Sequence, residues 1–132
     1  MKYFTIEELC QSDVATAQKI ANKPTGEQAD NMVKLIENVL DPLREAWGKP
    51  IIVNSGFRSA ALNHAVGGAQ NSEHRFGKAA DITTGTKGGN KQLFDLAKKL
   101  NLPFRQLIDE KNFAWVHISY DENDIKRQVL SL

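Results

Sequence analysis

Two histidines and one aspartate are the side chains of this chain best suited to bind a metal ion. His74 and Asp81 belong to NSEHRFGKAAD, and His117 belongs to AWVHISY. Neutral imidazole and carboxylate groups are common Zn²⁺ ligands, and a catalytic zinc site keeps three protein ligands and one open position. There, zinc lowers the pKa of water from about 15.7 to about 7 and polarises carbonyl groups. If the three side chains meet, they predict a zinc site suited to peptide hydrolysis.

Strand periodicity decides whether these side chains can meet. Alternation along AWVHISY places His117 on the same face as Ser119, and alternation along AADIT separates Asp81 from its apolar neighbours. Gly77 lets the preceding loop fold back, so that His74 approaches the same face. If the two strands pair, two imidazoles and one carboxylate line one groove.

Each of the three residues also has an ordinary structural interpretation. His74 fits a surface loop, His117 fits a half-buried and hydrogen-bonded position, and Asp81 fits a turn. Neither HExxH nor CxxC occurs in the sequence, so spacing alone leaves both interpretations open. His64, on a predicted helix, is expected to face solvent.

Hydrolysis also requires a general base close to the attacking water. The only acidic residues just ahead of the strand that carries His117 are Asp109 and Glu110. Adjacent residues of a strand point to opposite faces, so only one of the two can reach the groove. Alternation by itself does not choose between them.

The surrounding sequence predicts an α+β fold, because helices precede a small antiparallel sheet that carries the zinc site. Residues 85–89, at the start of the segment GTKGGNK, are expected to be a mobile loop, and an anion-binding loop is the alternative interpretation of the whole segment. The segment lacks the Gly-x-x-x-x-Gly-Lys-Ser/Thr spacing of a phosphate-binding loop. The predicted helices are 5–10, 12–21, 27–47 with a kink at Pro42, 60–66, 91–100 and 122–129, and the predicted strands are 51–53, 79–83, 105–110 and 113–120.

Composition indicates one domain over residues 1–132, since 132 residues with 41% hydrophobic content suffice for one core. Seventeen basic and sixteen acidic residues leave a charge of +1, which gives no bulk attraction to nucleic acid or an anionic membrane. Cys10 is the only cysteine and excludes an internal disulfide. The segment MKYFTIEELCQSDVA has no apolar signal region and no other stretch approaches a membrane-spanning length, so we expect a protein made in the cytoplasm and not inserted in a membrane. We also expect a monomer.

The two motifs together resemble a known signature. Ser72-x-His74-x-x-Gly77-x-Ala79-x-Asp81 followed by Trp115-x-His117 resembles the zinc D-alanyl-D-alanine carboxypeptidase family, whose superfamily includes lysostaphin-type peptidases and the Hedgehog signalling domain. VNSGFRSAALNHAVGGAQNSEH, QLIDE and VHISY extend the resemblance over about residues 50–120.

The resemblance implies a role for each matching residue. His74, Asp81 and His117 correspond to the zinc ligands, and Glu110 corresponds to the catalytic base. The connection from Glu110 to Trp115 is slightly longer than the family pattern, which keeps Asp109 as the alternative base. Two further residues have implied roles: Arg58 steadies the substrate and the polarised carbonyl, with a surface ion pair as its alternative, and Ser72 supports the site.

The function implied by the resemblance is zinc-dependent hydrolysis of peptidoglycan stem peptides. The bond is either that of a terminal D-Ala or the L-Ala-D-Glu bond inside the stem. A phage lysis enzyme, a prophage remnant and a cytoplasmic dipeptidase are all compatible with the sequence. The alternative from another class is a non-catalytic zinc-binding module that binds a partner, as in the Hedgehog domain.

Overall fold

The computed structural model describes all 132 residues and contains six α-helices and one five-stranded sheet. A π-helical turn, Ile36–Leu40, joins α3 to α4, and a 3₁₀ turn, Glu73–Phe76, precedes the second strand. The helices are α1 Ile6–Cys10, α2 Asp13–Gln18, α3 Gly26–Leu35, α4 Asp41–Trp47, α5 Ala60–Ala65 and α6 Lys87–Lys99. The strands are β1 Ile52–Ser55, β2 Ala79–Thr83, β3 Gln106–Glu110, β4 Trp115–Ser119 and β5 Gln128–Ser131.

The sheet has the order β1-β2-β4-β3-β5 and places the two motif strands side by side. β2 and β4 are antiparallel, and Asp81 is paired directly with His117. The remaining neighbours are also antiparallel, except that β3 and β5 run parallel. The fold is therefore α+β as predicted, with a mixed sheet in place of the expected antiparallel one.

The predicted long helix is present from α3 to α4, and its middle is widened. Thr25 and Gln28 form a capping box that starts α3. Pro42 lacks an N–H group and its ring crowds the carbonyl four residues earlier. A π-helical turn lies just before Pro42, where the N–H of Asp41 bonds to the carbonyl of Ile36, five residues back.

One face of the sheet packs against this long helix and α6. Twenty-one buried residues form a continuous apolar cluster, with Leu35 and Val39 on the helix side and Ile82, Val116 and Ile118 on the sheet side. Alternation then directs Asp81 and His117 to the opposite face of the sheet. No helix has the length and apolar character needed to cross a membrane.

The predicted loop over residues 85–89 is wrong, because α6 begins at Lys87 rather than residue 91. The Thr86 hydroxyl accepts a hydrogen bond of 2.9 Å from the N–H of Gly89 and caps the helix. A cap of this kind satisfies an N–H group that would otherwise lack a partner. This cap, together with the burial of Leu93, Phe94 and Ala97 on the same helix, offsets the low helix propensity of Gly88 and Gly89.

The predicted C-terminal helix over residues 122–129 is also wrong. Gln128–Ser131 forms β5, which lies parallel to β3 at the edge of the sheet. Backbone bonds continue past the strand, since the N–H of Leu132 donates to the carbonyl of Asp109 at 2.8 Å. The second predicted helix is shorter than expected, because Lys19 adopts a left-handed φ of 56° and ends it.

Candidate metal centre

His74, Asp81 and His117 meet on the polar face of the sheet. Asp81 Oδ1 lies 3.3 Å from His74 Nε2 and 3.0 Å from His117 Nδ1. Each residue offers one ligand atom, and all three atoms lie within 4.8 Å of one another. The strand pairing and the loop that ends at Gly77 therefore bring together the residues that the sequence singled out.

The arrangement fits a tetrahedral metal ion with one open position. Ligand atoms at 2.0–2.2 Å from a tetrahedral zinc are about 3.4 Å apart, close to the two distances seen here. His74 Nδ1 lies 2.7 Å from the carbonyl oxygen of Gly56, to which an Nδ1–H donates. That hydrogen bond selects the tautomer with Nε2 free to bind a metal. Two nitrogens and one oxygen are a donor set that zinc accepts.

The ionisation of these groups reflects their close packing. Burial opposes the charge of Asp81, but hydrogen bonds with His117 and His74 hold its pKa well below the usual range. Burial also opposes the charge of His117, but hydrogen bonds with Asp81 and Glu73 raise its pKa to about 9. A metal ion takes the place of such a proton, because a ligating imidazole must be neutral.

Two glycines allow the backbone to bring His74 into place. Gly77 has a φ of 74°, and a Cβ there would overlap the carbonyl oxygen of Gln28. A Cβ on Gly56 would overlap the backbone of Leu9. The prediction that Gly77 turns the loop is confirmed by its left-handed φ. Gly56 was not singled out from the sequence, although its carbonyl orients the His74 ring.

Glu110 and Asp109 point to opposite faces of β3. Glu110 is paired with Trp115 on the face that carries His117, and its Oε2 accepts a hydrogen bond of 2.6 Å from the indole Nε1. Asp109 is only 7% exposed. Its oxygens accept hydrogen bonds from the N–H of Phe113 at 2.9 Å and the hydroxyl of Ser131 at 2.6 Å. Glu110 is thus the carboxylate that reaches the groove.

The turn between β3 and β4 has an unusual backbone that leads into Trp115. Lys111, Asn112 and Phe113 adopt left-handed φ angles of 52°, 55° and 63°. The Asn90 side chain donates to the carbonyls of Phe113 at 2.9 Å and Ala114 at 3.2 Å. These contacts, with the Asp109 bond to Phe113, hold the turn in place while Glu110 stays paired with Trp115.

Arg58 forms no ion pair, so the surface pair considered for it is absent. Its Nε is buried without a hydrogen-bond partner. Burial lowers the pKa of Arg58, while the nearby charges of Asp81 and Glu110 act to raise it. The guanidinium stays charged at neutral pH. Its backbone N–H donates to the carbonyl of His74 at 3.0 Å, which ties the GFRS segment to the metal centre.

Of the two remaining residues considered from the sequence, Ser72 contacts the metal centre and His64 does not. Ser72 accepts a hydrogen bond of 3.2 Å from the N–H of His74 and caps the 3₁₀ turn. His64 is exposed on α5 and does not belong to the group of potential metal ligands. Ser72 therefore supports the backbone of His74, as expected, and His64 faces solvent.

A groove of about 480 Å³ runs past His117 and is lined largely by polar side chains. Its lining includes two residues that sequence reasoning missed, Glu73 and Arg105, whose charged groups lie 3.2 Å apart. Glu73 directly precedes His74 within the motif, and this adjacency was the only sequence feature that could have identified it as a groove residue. Arg105 gave no signal, because only strand pairing brings it to the groove.

Comparison with known proteins places this geometry in a family context. The sequence model of the family described as Peptidase M15 matches residues 2–119. A relative from Streptomyces albus G, named zinc D-Ala-D-Ala carboxypeptidase, is 42% identical over 88 residues. The aligned segment covers 64% of this chain and 32% of the relative, so the chain spans about a third of the length of that relative. The family match includes every residue of the metal centre.

Proposed function

The chain belongs to the peptidase M15 family, and from that premise we propose that it is a zinc-dependent peptidase acting on peptidoglycan stem peptides. The observation that carries the proposal is that Asp81 Oδ1 lies 3.3 Å from His74 Nε2 and 3.0 Å from His117 Nδ1, beside a groove lined by Glu110. The name of the Streptomyces relative supports both the metal and the substrate class.

His74 Nε2, Asp81 Oδ1 and His117 Nδ1 are the atoms that would hold the zinc ion. When bound, zinc lowers the pKa of a water molecule and polarises a peptide carbonyl. The protein contributes a fixed set of donors, because the Gly56 carbonyl orients one imidazole and strand pairing aligns the other two ligands. Such fixed ligands need little rearrangement when the metal binds.

Glu110 is the group that moves the proton. Its Oε2 is held by the Trp115 indole, which leaves Oε1 to accept a proton from the attacking water. The same oxygen then donates that proton to the amine nitrogen of the departing residue, as the carbon–nitrogen bond breaks. Proton transfer by a positioned side chain contributes roughly 10²–10⁴-fold to a rate.

Arg58 binds and orients the substrate in this proposal. It lies near Asp81 and Glu110 and has no acidic partner within ion-pair distance, whereas Arg105 and Lys78, which line the groove, each pair with a carboxylate. A free guanidinium is suited to a carboxylate because it donates two parallel hydrogen bonds. We therefore favour a substrate with a free C-terminal carboxylate, as in a stem peptide ending in D-Ala-D-Ala.

Mass spectrometry of defined stem peptides tests this function. We expect the zinc-loaded protein to release one D-Ala from a peptide ending in D-Ala-D-Ala and to act poorly on the C-terminal amide of the same peptide. Cleavage of L-Ala-D-Glu in both peptides would instead identify an endopeptidase. Full zinc loading with no cleavage of either peptide would contradict the proposal and favour the non-catalytic binding module.

A further inference from the structure

Glu73 is a carboxylate next to the metal centre that the proposed reaction leaves without a role. It lies in the 3₁₀ turn directly before His74, and its side chain is 18% exposed. Its Oε1 lies 3.4 Å from His117 Nε2, the ring nitrogen opposite to the one that contacts Asp81. Glu73 therefore contacts a proposed ligand from the side away from the metal.

Both imidazoles of the centre show the same division between their two nitrogens. His74 places Nε2 toward Asp81 and Nδ1 at 2.7 Å from the Gly56 carbonyl. His117 places Nδ1 toward Asp81 and Nε2 toward Glu73. A ligating histidine donates its second N–H to an acceptor that fixes the tautomer and the ring orientation. For His117, that acceptor is Glu73.

Arg105 holds the Glu73 carboxylate in this position. Its Nη1 lies 3.2 Å from Glu73 Oε2, and its Nε lies 2.9 Å from Asp124 Oδ2. The arginine backbone is itself anchored, since its N–H donates to the carbonyl of Ser119 at 2.8 Å. The two oxygens of Glu73 thus have separate neighbours: Oε2 lies within ion-pair distance of the arginine but accepts no hydrogen bond, and Oε1 faces His117.

We propose that Glu73 is a positioning residue, which accepts the Nε2–H of His117 and turns Nδ1 toward the metal, with Arg105 holding the carboxylate. The inference rests on the proposed function in taking His117 as a zinc ligand. Loss of an outer acceptor of this kind typically lowers metal affinity by roughly 10- to 100-fold. Glu73 acts through His117, and neither metal binding nor proton transfer to the substrate is assigned to it.

Zinc affinity of Glu73→Ala and Glu73→Gln, measured by competition with a chromophoric chelator, tests the proposal. Glu73→Ala should lose roughly 10- to 100-fold in affinity. Glu73→Gln should retain most of it, because its amide oxygen still accepts the Nε2–H. Glu122→Ala is the matched control, since Glu122 is an exposed carboxylate that pairs with Lys34 at 2.7 Å; it should bind zinc like the parent.

Nitrogen-15 NMR of the zinc-loaded proteins provides a second readout. The Nε2–H signal of His117 should be protected from exchange in the parent and in Glu73→Gln, and should exchange rapidly in Glu73→Ala. Parent-like affinity and an unchanged signal in Glu73→Ala would overturn the proposal, as would equal losses in the alanine and glutamine variants. If the alanine variant fails to fold, the signal in Glu73→Gln decides, and its loss there overturns the proposal.

Neither measurement uses a substrate, so the two hypotheses fail separately. A parent protein that binds zinc, shows the protected His117 signal and cleaves no stem peptide would contradict the proposed function alone. A parent that cleaves stem peptides, with zinc affinity indifferent to Glu73, would contradict the positioning role alone.

Discussion

Trp115 and Glu110 face each other across β4 and β3, and the indole Nε1 donates a hydrogen bond of 2.6 Å to Glu110 Oε2. A hydrogen bond to an ionised carboxylate is shorter and stronger than one between neutral groups. It restrains the rotation of the Glu110 carboxylate and leaves Oε1 available to water. The tryptophan of the second motif thereby orients the proposed base.

Trp115→Phe should lower turnover and leave metal binding intact. Phenylalanine keeps the aromatic ring but removes the donor, so the carboxylate can rotate away from the water. We expect a loss in kcat of about tenfold, smaller than the roughly 10²–10⁴-fold contribution of a general base. Steady-state kinetics and zinc titration measure the two effects. A kcat equal to that of the parent would show that the indole bond does not orient the base.

Glu110→Gln and Asp109→Asn should separate catalysis from stability. Glu110→Gln keeps the shape but removes the base, so we expect retained zinc, retained fold and a loss of roughly 100- to 10,000-fold in turnover. Asp109→Asn weakens the buried contacts with Phe113 and Ser131 and should lower the free energy of unfolding by about 1–3 kcal/mol.

Urea denaturation and kcat per folded molecule distinguish these two variants. Asp109→Asn should turn over substrate like the parent once its folded fraction is taken into account. The reverse pattern, with turnover lost in Asp109→Asn and kept in Glu110→Gln, would make Asp109 the base. Parent-like turnover in both would exclude both carboxylates from proton transfer.

Arg58→Ala should abolish recognition of the terminal carboxylate without releasing zinc. A guanidinium does not ligate zinc, and Arg58 has no ion-pair partner whose charge would be exposed by its removal. We expect stoichiometric zinc and loss of hydrolysis of a peptide ending in D-Ala-D-Ala. Elemental analysis and the peptide assay provide the measurements. A fully active Arg58→Ala protein would remove this residue from the site.

Gly56→Ala should destabilise the protein and weaken zinc binding together. A Cβ at this position overlaps the backbone of Leu9, and the resulting shift displaces the carbonyl that accepts from His74. Gly26→Ala is the matched control, because a Cβ there meets nothing within 4 Å at the start of α3. Gly26→Ala should therefore raise the free energy of unfolding by about 0.4–1 kcal/mol, as expected for a glycine whose backbone conformation suits alanine. Thermal unfolding measures the stability of both variants, and zinc titration measures their metal affinity. Equal stability and equal zinc affinity in Gly56→Ala and Gly26→Ala would contradict the role given to the Gly56 carbonyl.

Local sequence patterns predicted the elements that carry the metal centre. Alternation in AADIT and AWVHISY identified β2 and β4 and the face of each that holds Asp81 or His117, since strand side chains alternate. The left-handed φ of Gly77 could also be predicted from the sequence, because glycine adopts this conformation without strain. These features depend only on neighbouring residues.

Features that depend on contacts between residues far apart in the sequence could not be predicted from local patterns. The edge strand β5 is short and exposed, and its pairing with β3 rather than any local pattern makes it a strand. The helix start at Lys87 was missed for a local reason, because the Thr86 cap is followed by Gly88 and Gly89, which have low helix propensity. Glu73 was missed as a partner of His117, because 44 positions separate the two in sequence and only the sheet brings them together.

Zinc stoichiometry is the measurement that tests the central claim most directly. Purified protein, stripped by chelator and titrated with Zn²⁺, should bind about one ion per chain, as expected for three protein ligands and one open position. His117→Ala should lose far more affinity than the roughly 10- to 100-fold expected for a residue outside the ligand set. His64→Ala, which changes an exposed histidine on α5, should bind zinc like the parent. A parent protein that takes up no zinc, or a His117→Ala protein that binds it as tightly as the parent, would contradict the account.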